Sequence, residues 1–166
     1  NALLSFHGDI NEGVLNALNS NSYETQVQAL SLASQRHMYM SYDKAIALTK
    51  SKDNKVVSAA YDALSGVSDI NKFDEICNLL EKSPGSVVDK LQLAAMNTIA
   101  SKTSDEQFNL IAKHLNNTEK DTLYYPLLAQ AGNEKAIEKL MQDYHKSQTN
   151  KAAFSSLLFK KKKKMT

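Results

Sequence analysis

The sequence is poor in the residues that punctuate or cross-link a chain, and each scarcity excludes something. There is one cysteine in 166 residues, Cys77, so no disulfide can form within the chain and a small disulfide scaffold is excluded. There are only two prolines and five glycines, and with 42% apolar and 23% charged residues the chain is too apolar and too balanced in charge to be disordered. No stretch of eighteen apolar residues occurs, so no segment reads as a membrane-spanning helix. There is a single arginine, Arg36. Excess charge of one sign is also missing from the body. The formal net charge of +2 comes from the terminal run Lys160–Lys164, and without it 15 basic residues face 18 acidic ones. A nucleic-acid binder spreads positive charge over a face, and this chain does not.

What is present is helical periodicity. In "DNKVVSAAYDALSGVSDINKFDEICNLLEKSP" (53–84), Asp53 is placed to cap a helix. Val57, Ala60 and Leu64 then recur at spacings of three and four, and Gly66 is expected to stop the helix. Phe73, Ile76, Cys77 and Leu80 form a second apolar stripe, closed by Ser83-Pro84-Gly85. The stretch reads as two amphipathic helices joined by a tight turn.

The pattern returns along the chain. First-type helices are predicted at 22–35, 87–101, 119–133 and 150–159, with shorter second-type helices at 41–51, 105–115 and 134–144. Asp-Ile-Asn occurs at 9–11 and again at 69–71. Capping signals mark starts at Asp9 with Glu12, Asn21 with Glu24, and Ser104 with Gln107. About ten helices are expected, and no strand pattern is seen. Side-by-side pairs are expected for 22–35 with 42–51, 54–65 with 72–82, 87–101 with 105–115, and 120–131 with 134–146. Leu3, Leu4 and Phe6 at the start read as the end of a first-type helix, so earlier repeats are expected before Asn1.

Residues 53–84 resemble the short HEAT-like repeat of bacteria, of the type seen in phycobilisome-lyase-like proteins. "AQAGNEKAIEKLMQDY" (129–144) resembles its turn and second helix. The resemblance implies an all-α, right-handed α-α superhelix of about five helix pairs: a repeat domain over 1–159, then a basic tail over 160–166 that acts as a linker or an appended end. It implies stacked helix pairs with a concave binding surface. The family often places Arg after the Val of the first helix. Here Gln28 follows Val27, Ser58 follows Val57 and Gln92 follows Leu91, so recognition of a partner through bidentate arginine is not expected.

Little points to catalysis. His7, His37, His114 and His145 have no metal-ligand spacing. Cys77 lies on an apolar stripe and reads as an inert thiol. No phosphate loop or Gly-x-Ser-x-Gly elbow is present. Acidic pairs such as Asp74–Glu75 and Glu134–Glu138 fall at helix starts, where they suit the helix dipole. In "TLYYPLLA" (122–129), Pro126 is expected to kink or delay a core helix, with the bodies of Tyr124 and Tyr125 packed and their hydroxyls wet. The Lys160–Lys164 run after Ala153, Phe154, Leu157 and Leu158 is read as low complexity rather than as a membrane or nucleic-acid site.

The segment is therefore read as non-enzymatic, with no catalytic residue, metal or cofactor. Its role would be protein interaction or scaffolding. Two other readings are an accessory array of a larger bacterial sugar-acting hydrolase-like protein and a lyase-type repeat protein. The binding residues would be Gln28, Gln35, Ser58, Asp62 and Asn97, opposite the apolar stripes of first-type helices. The partner would be a protein or a neighbouring domain of the same chain, with no specific nucleic acid and no transmembrane segment. Soluble, periplasmic and extracellular settings all fit the parent protein.

Overall fold

The computed structural model describes residues 10–163, with side chains to residue 148. Leu3, Leu4, Phe6, His7 and Asp9 lie outside the described residues, as do the side chains of the Lys160–Lys164 run. Among the described residues there are nine α-helices and no strand. They are α1 (Ile10–Leu18), α2 (Tyr23–Gln35), α3 (Tyr42–Leu48), α4 (Asn54–Val67), α5 (Phe73–Lys82), α6 (Val88–Ile99), α7 (Ser104–Ala112), α8 (Tyr125–Ala131) and α9 (Glu134–Lys163). The chain forms two compact units, one to Lys102 and one from Thr103.

In the first unit, α4 is central and packs against α2 on one side and α6 on the other. The remaining helices pair in a frame shifted from the expected one. α1 packs on α2, α3 on α4 and α5 on α6, so each short helix leans mainly on the long helix that follows it. The exits from α2 and α4 account for this. After α2 the chain turns through His37 at φ 51° and then a 3-10 turn, Tyr39–Ser41. After α4 it runs extended through Ser68 and Asp69 into a second 3-10 turn, Ile70–Lys72. Both exits carry the chain away from the helix it has just left.

Local sequence explains the helix starts. Asp53 Oδ1 accepts from the Lys55 N–H at 2.8 Å and the Val56 N–H at 3.1 Å, so the predicted cap is in place. Two other caps sit one residue from where they were expected. Ser22, not Asn21, caps α2 by accepting from Thr25 N–H at 3.3 Å. Thr103, not Ser104, caps α7 in a reciprocal box with Glu106. In each case the residue with extended backbone takes the capping role.

The apolar phase of α4 also differs from the reading above. Val56, Ala60, Ala63, Leu64 and Val67 are buried, while Val57 lies on the flank. Gly66 does not stop the helix, which runs on to Val67. It is buried against α2, where a side chain would collide with the backbone carbonyl of Ser34. With Ala29, Ala33, Ala60 and Ala63 buried beside it, glycine lets the two helices meet nearly backbone to backbone. The stripe of α5 is as expected: Phe73, Ile76, Cys77 and Leu80 are all buried. Tyr42 was not anticipated in the core. Its ring is buried beneath the Lys72 ammonium, 4.5 Å from the ring centroid, and Lys72 also reaches Glu75 at 3.3 Å.

The second unit packs α8 against α7 and α9. Ile111, Tyr124, Leu127, Leu128, Ala131 and Ala136 form its buried core. The pair expected from 120–131 and 134–146 is present, turned by Gly132 at φ 62°. The helix expected at 150–159 is not separate, because α9 continues from Glu134 to Lys163. Residues 145–150 contain neither Gly nor Pro, so nothing in them breaks the helix.

Leu64 and Ile76 are both fully buried. Leu64→Ala is expected to lower unfolding free energy by about 2–5 kcal/mol, the usual loss of transfer energy plus cavity cost. Gly66→Ala is expected to cost about 1–3 kcal/mol through overpacking against α2. Urea denaturation followed by circular dichroism measures both, and an unchanged midpoint for Gly66→Ala would mean that α2 and α4 tolerate a wider spacing.

Candidate interaction face

The five residues proposed from sequence fall on the three helices of the central layer: Gln28 and Gln35 on α2, Ser58 and Asp62 on α4, Asn97 on α6. All five are exposed. Helical spacing accounts for this, since 28 and 35 are seven apart and 58 and 62 are four apart. The α4 and α6 members are linked across helices. The Lys90 ammonium donates to Ser58 Oγ at 2.8 Å, to the Ser58 carbonyl at 3.2 Å and to Asp62 Oδ2 at 2.8 Å. Asn97 Nδ2 donates to the Ser65 carbonyl at 3.0 Å. On α2, Gln35 Nε2 donates to Ser31 Oγ at 3.1 Å.

Sequence reading missed Lys90, Ser65 and Ser31 as members of this face. Lys90 is seven residues before Asn97, so the same helical spacing could have found it. Its charge is matched by Asp62, which leaves this part of the face polar but nearly neutral. Leu93, 47% exposed, stands between Lys90 and Asn97 on α6.

Two hollows lie between α2 and α4. One, of about 230 Å³, is lined by Val27, Ser31, Gln35, Ala59, Asp62 and Ala63, with Ser34 beside them. The other, of about 560 Å³, lies between the starts of the two helices and is lined by Tyr23, Glu24, Val27, Gln28, Asp53 and Lys55. Val27 belongs to both, so they form a single groove along α2. Near Gln35 its floor is small and apolar, made by Ala59 and Ala63 where α2 and α4 pack closely. Its rim is amide, hydroxyl and carboxylate.

Elsewhere, reactive side chains are committed to structure. Burial, reinforced by Asp74 and Glu81, pushes the Cys77 thiol up to about 12, which keeps it protonated. His37 Nδ1 lies 3.2 Å from the Gly66 carbonyl and ties the end of α2 to the end of α4. His114 stacks on Tyr124 with centroids 5.7 Å apart, and His145 meets Tyr144 edge-on. Among the described residues, no three His, Cys, Asp or Glu side chains converge as metal ligands. No described helix is long and apolar enough to cross a membrane.

Of the two effects expected of Pro126, a kink or a delayed start, the structure has the second. Pro126 does not kink a core helix. It lies in the first turn of α8, where its missing N–H has no helical acceptor to lose, and a 3-10 helix, Glu119–Tyr124, leads into it. Tyr124 is buried as expected. The Tyr125 hydroxyl is not wet, since it donates to Asp143 Oδ2 at 3.1 Å. Burial first, and this bond second, hold the phenol above its ordinary range.

That bond belongs to a buried charge network. Lys139 reaches Asp121 Oδ2 at 3.0 Å and Asp143 Oδ2 at 3.0 Å, and these side chains are 14%, 3% and 12% exposed. Asp121 also accepts from the backbone N–H groups of Asn116 at 3.0 Å and Asn117 at 3.1 Å. Asn117 adopts φ 56° to make this possible. Burial raises the Asp121 carboxyl, but the Asn116 N–H and Lys139 outweigh it and hold it below the usual carboxylate range. Burial lowers Lys139, and its bonds to Asp143 and Asp121 outweigh that and raise it.

Comparison with known protein families, curated proteins and solved structures finds no match. The class of protein rests on the geometry itself: an all-α chain of stacked helices with a polar groove on one face of the layer.

Because the Asp121 carboxyl is depressed, its stabilisation is present above about pH 4 and disappears as the pH falls through its folded value. Acid is therefore expected to loosen residues 116–124 below pH 4, seen as faster amide exchange there. Lys139→Met leaves two buried carboxylates facing each other without a cation. It is expected to cost about 3–5 kcal/mol, and Asp121→Asn in the same chain should recover part of it. An undiminished urea midpoint for Lys139→Met would contradict the role of the network.

Proposed function

We propose that the chain is a non-catalytic interaction module of HEAT-like, right-handed solenoid type, whose α2–α4–α6 face binds a protein partner or a neighbouring domain of the same chain. The observation that carries this is the exposed row of Gln28, Gln35, Ser58, Asp62 and Asn97, spread over three stacked helices, with Gln28, Gln35 and Asp62 lining the hollows between α2 and α4. Side chains held across helices by Lys90 and Asn97 present a preset pattern of donors and acceptors, which limits the entropy lost on binding. A repeat array gains such a surface by stacking, because each helix pair buries its apolar stripe and leaves the opposite side free. In this reading the segment performs no chemistry and takes no cofactor. Service as the accessory array of a larger enzyme would use the same face, turned toward the neighbouring domain.

The face carries few unpaired charges, so binding should respond weakly to salt. The test is affinity capture to identify the partner, then titration of the purified partner at low and high ionic strength. Changing Gln28, Ser58 and Asp62 together to Ala is expected to weaken binding by about tenfold or more, at roughly 0.5–1.5 kcal/mol for each hydrogen bond lost. The reading fails if that variant binds as well as the wild type. It also fails if affinity collapses with salt and follows deletion of Lys160–Lys164.

A further inference from the structure

One side of α9 is committed to its own unit. Ala136 is buried, and Lys139 and Asp143 belong to the charge network with Asp121. A second side is apolar and faces outward: Ile137 is 49% exposed, Met141 56% and Tyr144 61%. Three of the seven large apolar side chains exposed among the described residues therefore stand in one line, which singles this side out. The spacings of four and three continue by four to Gln148, also exposed, and trace a heptad seam along the helix. In the first unit the short helices α3 and α5 are packed on by the long helix that follows each, whereas this seam is open. One flank of the seam carries Glu138 and His145, seven residues apart and both exposed.

We propose that this seam pairs with the same seam of a second copy of the chain, the two α9 helices running antiparallel about a two-fold axis. Self-complementarity of the seam and its flank points to a second copy. Setting Met141 of each copy against Tyr144 of the other places a thioether on an aromatic ring, twice by symmetry. The same register brings Glu138 of each copy beside His145 of the other. A carboxylate accepts from an imidazole N–H whether or not the ring is charged. Sliding the mate by one heptad would set Ile137 against Met141 but bring the two Glu138 carboxylates face to face. A parallel mate would face His145 with Leu140 and Glu138 with Asn133, which is already bonded to Asp105 and to the Ala136 N–H. An anionic lipid surface is disfavoured, since Glu134 and Glu138 border the seam. The inference concerns the second unit and is independent of the α2–α4–α6 face. Three apolar side chains and one polar pair per copy make an interface at the small end of the specific range, so the dimer is expected to form only at about 100 µM or above.

The test is sedimentation of the full chain at concentrations up to about 1 mM, where a dimer of this size should be well populated. The expected result is a reversible monomer–dimer equilibrium. Met141→Asp should weaken dimerisation by about tenfold or more, because it puts a carboxylate on the seam. Met141 is more than half exposed, so its thermal midpoint at low concentration should match the wild type. Glu138→Lys should weaken the dimer about fivefold, and adding His145→Glu in the same chain should restore it, since the exchanged charges meet again only across an antiparallel pair in this register. A chain that stays monomeric throughout, a dimer indifferent to Met141→Asp, or a charge exchange that fails to restore association overturns the proposal.

Discussion

The near-contact of Gly66 with the Ser34 backbone governs the spacing of α2 and α4. Because no side chain intervenes, the two helices approach at the limit of their backbones. The residues around this point must then be small, as Ala29, Ala33, Ala60 and Ala63 are. Small residues bury little apolar area each, so larger ones on the other sides of α4 carry most of the hydrophobic stabilisation. Leu64, Val56 and Val67 do this, together with Leu91 and Ile99 on α6 and Phe73, Ile76 and Leu80 on α5. The groove follows from the same constraint. Tight packing below leaves a shallow trough above, with an Ala floor and a polar rim.

Lysine is the cross-linking residue of this protein. Lys90 joins α6 to α4 on the outer face, Lys72 joins the 3-10 turn before α5 to the Tyr42 ring of α3, and Lys139 ties α9 to the segment before α8. The three differ in environment, and so in consequence. The Lys90–Asp62 pair is half exposed, and its Coulomb energy is largely screened, so it shapes the face more than it stabilises the stack. The Lys139 network is buried, where an unmatched charge is costly, and it holds the 116–124 segment in one arrangement.

The helical periodicity of the sequence and the observed packing agree on an all-α stack. The outer face of α2, α4 and α6 is built from amides, hydroxyls and the matched Lys90–Asp62 charges.

Much of the architecture was legible because helical periodicity is a local property. Phe73, Ile76, Cys77 and Leu80 declare a helix and its buried face without reference to anything else, and so do the Asp53 cap and the outward row of Gln28, Ser58 and Asp62. What escaped depends on residues distant in sequence. Gly66 reads as a helix stop until Ser34 is known to lie against it. Pro126 reads as a kink until the 3-10 turn before it places it at a helix start. Nothing adjacent to Asp121 in the sequence shows that Lys139 and the Asn116 N–H close over it. By itself the sequence determined that the chain is helical, where most helices run and which side of each is apolar, because 3.6-residue spacing and capping act within a few residues. Only the tertiary structure decided which helices pair most closely, where the groove opens and which charges are buried, because those depend on atoms brought together from about thirty residues away and on the volume that remains between them.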